Sequence, residues 1–71
     1  MDLTKVDLCK EYVIKSITTH DAELEAFLFS LGCFSGEKIT VINRRRSGSI
    51  VAIKDGRYNI DTPLAQAIEV F

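Results

Sequence analysis

"LEAFLFSLGCFSGEKITVINR", residues 24–44, changes its hydrophobic period midway. Leu24, Phe27, Leu28 and Leu31 fall at i, i+3, i+4 and i+7, which predicts one core-facing helical stripe. From Lys38 to Arg44 the period becomes two: Ile39 and Val41 face one way, Thr40, Ile42 and Arg44 the other. Gly32 and Gly36 separate the two patterns. Gly32 suits the left-handed residue that ends a helix, and Gly36 the turn into the strand. A helix is therefore expected inside an otherwise β-rich chain.

Upstream, "EYVIKSI" from Glu11 to Ile17 reads as a strand rich in β-branched and aromatic residues. Before it, Leu3, Val6 and Leu8 suit a short lid over the core. Thr18 or Thr19 is the expected helix cap, with Asp21 and Glu23 favoured by the positive end of the helix dipole. Downstream, a turn through Ser47-Gly48-Ser49 leads to a strand from Ile50 to Lys54. Asp55-Gly56 predicts a type I′ hairpin into Arg57–Ile60, with positive φ at both residues. Thr62-Pro63 predicts a capped helical turn through Gln66, and Ala67 to Phe71 a closing strand.

Hairpins this closely spaced exclude a parallel sheet. Five short strands can bury one face by curling up, which also removes most edges. The expected fold is mostly β: a small SH3-like barrel of about five strands with one inserted α-helix, forming a single domain over residues 1–71. A small α+β roll is the alternative.

Composition narrows the function. Nine basic and ten acidic residues leave a net charge of -1, so the chain lacks the overall basic signature of a nucleic-acid binder, and no nucleic acid is expected. The opening residues are acidic and mixed, unlike a secretory leader. A cytoplasmic chain with reduced Cys9 and Cys33 is the corresponding expectation. CxxC, HExxH, GxGxxG and P-loop patterns are all missing. His20 is the only histidine and nothing ties it to a serine; Cys9, His20 and Cys33 lack the close pairing of compact zinc sites. No catalytic, cofactor-binding or metal-ligating residue is assigned, and no enzyme activity or cofactor is expected. Cys33 reads as a packing residue.

Contact residues are more promising. Phe29 lies off the core-facing helical stripe, and Phe34 follows in the glycine loop. Arg44, Arg45 and Arg46 form a basic run near a hairpin, suited to steering an acidic protein surface. These five residues are the candidate protein-binding surface. Edge strands of so small a fold also allow pairing between copies.

Residues 24–44 resemble the signature of the FeoA family: a leucine-rich helix ending Leu31-Gly32, then Gly36 two residues before an alternating strand. "IVAIKDGRYNIDTPLAQAIEVF", residues 50–71, fits the same pattern downstream, and Leu3 and Val6 fit it upstream. Leu8-Cys9, Ser35-Gly36 and the acidic first turn of the helix depart from it. The resemblance implies a small cytoplasmic accessory protein of bacterial ferrous-iron transport. It implies an SH3-like barrel and a partner, the cytoplasmic part of the FeoB-type membrane iron transporter, which would hold the chain at the inner face of the membrane. A metal-responsive sensor using Cys9, Cys33 or His20, and a nucleic-acid-binding small barrel, are the alternative functions.

Overall fold

The computed structural model describes residues 1–71. A 3-10 turn at Leu3–Lys5 opens the chain, followed by β1 (Glu11–Ile17), α1 (Ala22–Ser30) and β2 (Lys38–Arg45). Then come β3 (Gly48–Ile53), β4 (Gly56–Ile60), α2 (Thr62–Ala67) and β5 (Ile68–Val70). Each predicted strand and the inserted helix are present.

The five strands form one antiparallel sheet in the order β4-β3-β2-β1-β5. Alternation puts Ile14, Ile39, Val41, Val51, Ile53 and Ile60 on the buried face. Register shifts at Ile14/Ser16 in β1 and at Val41/Asn43 in β2 deepen the local twist and bend this face around the core. Leu3, Val6, Leu28, Cys33, Ala65 and Ala67 complete that core from outside the main sheet.

The expected SH3-like barrel does not close. β4 and β5 stand at opposite ends of the strand order and do not pair with each other. The chain passes from one edge to the other through α2, which packs on β3, β5 and the N-terminal turn. Ala65 and Ala67 of α2 are buried with Leu3, so side chains occupy the opening that backbone pairing would have closed. The outer edge of β5 is covered by the N-terminal segment instead: Val70 donates to the Met1 carbonyl at 2.7 Å, and Asp2 bridges Glu69. The outer edge of β4 has no backbone partner.

Acidic caps replace the predicted threonines. The Asp21 carboxylate accepts from the amides of Glu23 and Leu24 at 3.0 and 3.3 Å, starting α1 later than Thr18 or Thr19 would. Asp61 likewise accepts from Leu64 at 3.1 Å and leaves Thr62-Pro63 inside the first turn of α2. A charged acceptor makes the stronger cap bond. The β3–β4 turn also differs from expectation. Gly56 pairs with Ile53, so the two-residue loop is Lys54-Asp55, and Lys54 carries the positive φ, +53°.

Candidate functional site

The helix stripe is narrower than its spacing predicts. Leu28 is fully buried and Leu24 and Leu31 pack against the core, but Phe27 is 46% exposed. A nine-residue helix presses mainly one line of side chains onto a small sheet, and Phe27 stands about 100° round from Leu28. Phe29 stands on the other flank, 38% exposed.

After α1 the chain reverses in a Schellman motif. Gly32, at φ +97°, donates to the Phe29 carbonyl at 3.0 Å, and Cys33 donates to Leu28 at 3.1 Å. Cys33 thereby drops into the core beside Leu28, and Phe34 emerges on the outside. Its ring stacks on Phe29 with centroids 5.3 Å apart and planes 8° from parallel. This is the favourable offset geometry, yet Phe34 remains 48% exposed. Gly36, which donates to Ile14 at 2.8 Å, and Ile14, which donates to Glu37 at 2.8 Å, fasten the loop to β1. The aromatic pair therefore sits on a held support.

The arginine run divides. Arg44 turns back on the fold: its Nη2 donates to the Leu3 and Val6 carbonyls at 2.9 and 3.2 Å. Arg45 and Arg46 are exposed at the β2–β3 hairpin and form no ion pair. Gly32 lies beside Ile53 and Lys54, at the opposite end of β3 from that hairpin. The length of β3 separates the two ends by about 17 Å. The structure thus brings Phe29 and Phe34 together, but places Arg45 and Arg46 at the other end of the sheet.

A concave feature on the sheet was not expected from the sequence. Thr40 and Ala52, paired across β2 and β3, floor a groove of about 460 Å³ on the outer face of the sheet. Glu11, Glu37, Lys38 and Lys54 wall it, with Lys38 3.7 Å from Glu11 and Lys54 3.6 Å from Glu37. The alternating polar positions of the strands carried the signal, but small floor residues resemble any solvated sheet face. Exposed pairs like these contribute little to stability.

The soft ligands do not assemble. No three His, Cys, Asp or Glu side chains converge in a geometry for a metal ion. Cys9 is exposed and Cys33 buried. Burial pushes the Cys33 thiol up from 9.0 to about 11. The folded chain holds this proton where the unfolded chain has released it. Its contribution is therefore intact below pH 9 and is lost as pH rises toward about 11. The loss should be on the order of 2 kcal/mol, read by denaturant unfolding, and absent in Cys33→Ala. Iodoacetamide at neutral pH should add one group to the native chain, at Cys9, and two after denaturation; equal native labelling of both thiols would contradict the burial.

Such a site places the chain among small, mostly-β domains with one inserted helix, whose distinctive surface is aromatic and charged. The FeoA domain model matches residues 1–70, and the chain belongs to that family. FeoA from Stenotrophomonas maltophilia, solved with zinc, is 20% identical over 100% of this chain and 89% of its own, at a TM-score of 0.88. That protein is described as a procaryotic SH3 domain protein and put forward as an activating factor of bacterial ferrous iron transport. Iron(II) transport protein A from Clostridium thermocellum is 22% identical over 99% of this chain and 44% of its own, at 0.89. A manganese-dependent transcriptional repressor is 25% identical over 99% of this chain but only 40% of its own, at 0.90. No curated protein sequence matches the chain.

Proposed function

We propose that the chain acts as one non-enzymatic unit over residues 1–71, an accessory domain of ferrous-iron uptake that docks on the cytoplasmic part of a FeoB-type transporter and modulates it. The observation that carries this reading is the exposed Phe29–Phe34 stack on a fastened loop, in a chain of the FeoA family. Stacked rings held at a surface lose little freedom on contact and supply the aromatic anchors on which interfaces depend. The description of the Stenotrophomonas maltophilia protein supports the transport context. No helix is long and apolar enough to cross a membrane, so in this reading the transporter holds the chain at the inner membrane face.

Arg45 and Arg46 serve as a separate steering point, and Arg44 as a structural clamp. Pairing between copies would use the open edge of β4, outside both contact regions.

Binding of the purified chain to an immobilised cytoplasmic FeoB domain tests the assignment. Phe29→Ala with Phe34→Ala should weaken it at least about tenfold. Arg45→Ala with Arg46→Ala should slow association mainly at low salt. Unchanged affinity in the phenylalanine variant would overturn the docking face.

A further inference from the structure

The flank of α1 that carries Phe29 defines its partner's chemistry as well as a contact. Helical geometry puts Ala22, Glu25 and Ala26 within about 60° of Phe29. Two methyl groups and one carboxylate thus border the aromatic stack. From Asp21 to Phe34 there is no basic residue. None of the chain's three ion pairs uses Asp21, Glu23 or Glu25. Lys54, beside Gly32, is already engaged by Glu37. Glu23 and Glu25 both lie in the first turn of α1, where the helix dipole offsets part of their charge but supplies no side-chain partner.

We infer that the Phe29–Phe34 face takes a basic amphipathic segment of the docking partner, with an apolar side chain on the stack and a Lys or Arg reaching Glu25. This rests on the docking reading above and adds the partner's charge. The charge also disfavours a second copy bringing the same face: two Glu25 carboxylates would meet across the symmetry axis. The chain's own basic hairpin does not supply the segment, since Arg45, Arg46 and Ser47 offer no apolar side chain.

Backbone amide NMR of the intact protein provides the test, with a fourteen-residue Leu/Lys amphipathic helix peptide as probe and its Leu/Glu counterpart as control. The Leu/Lys peptide should shift resonances between Asp21 and Gly36 and bind more weakly as salt rises. Glu25→Lys, and separately Phe29→Ala with Phe34→Ala, should each weaken it roughly tenfold. Glu23→Lys, on the Phe27 flank, should change it less than about threefold. Retained dispersion of the remaining amide signals confirms that the variants fold. Equal binding of the Leu/Glu peptide, shifts centred on the polar groove, an inert Glu25→Lys, or self-association through this face would each overturn the inference. The cytoplasmic FeoB domain separates the two readings. If it binds and Glu25→Lys has no effect, docking stands and the basic-segment inference fails. If only the Leu/Lys peptide binds at this face, the inference stands and the transporter assignment fails.

Discussion

Replacing Gly48 with alanine should destabilise the protein by about 3 kcal/mol and lower its melting temperature by on the order of 15 °C. Gly48 opens β3 opposite Arg45, at φ +154°, with the backbone of the β4–α2 junction against it. An added Cβ would stand 3.1 Å from the Ile60 carbonyl carbon and closer still to its oxygen. Neither partner is a side chain that can swing away. Ile60 is locked by its pairing with Ser49, and Asp61 by its role as the α2 cap. Relief would require moving β4 or α2 together with the buried residues beneath them. Gly36→Ala is the control. Its φ is +91° but nothing lies within 4 Å of the added methyl, so it should carry only the conformational cost, about 1–2 kcal/mol. A Gly48→Ala protein melting within a few degrees of the parent, or a Gly36→Ala protein melting lower, would contradict the close approach. Stability for a chain of this length is about 4–11 kcal/mol, so the Gly48 loss would remove a large share.

Arg44→Ala should cost about 2 kcal/mol and act locally. The guanidinium holds the carbonyls of Leu3 and Val6, residues whose side chains are buried in the core. Hydrogen bonds from a charged donor contribute about 1.5–3 kcal/mol, and truncation leaves two partly buried carbonyls without it. The lid should loosen first: amide exchange should quicken at Lys5, bonded to Asp2, and at Val70, bonded to Met1, more than in β2 or β3. Arg44→Lys should recover part of the loss, because an ammonium still donates but sits on a shorter arm than the guanidinium whose Nη2 meets both oxygens. Arg45→Ala and Arg46→Ala should be near neutral to stability. Uniform exchange changes, or equal effects of all three arginines, would contradict the clamp.

Three adjacent arginines read as one charged run because sequence spacing does not reveal which guanidinium turns inward. That choice depends on two carbonyls 38 and 41 residues away. Locally encoded features were legible. β-Branched and aromatic content marked β1 from Glu11 to Ile17, and Gly32 marked the end of α1. The packing role of Cys33 was legible because no paired ligand accompanied it. Sheet closure was not legible, since it depends on α2 and the N-terminal turn filling the space between two distant edges. Phe34 illustrates the same boundary. Its position after Gly32 made it a candidate, but its stack on Phe29 follows from the Schellman reversal, which carries Cys33 inward and the next residue outward.

Affinity capture from native membranes tests the transporter assignment most directly. A tagged chain should recover an identified ferrous-iron transporter with a GTP-binding cytoplasmic domain, and the variant carrying Phe29→Ala and Phe34→Ala should recover at least about tenfold less. Absence of that transporter from the wild-type capture, or equal recovery by the phenylalanine variant, would contradict the account.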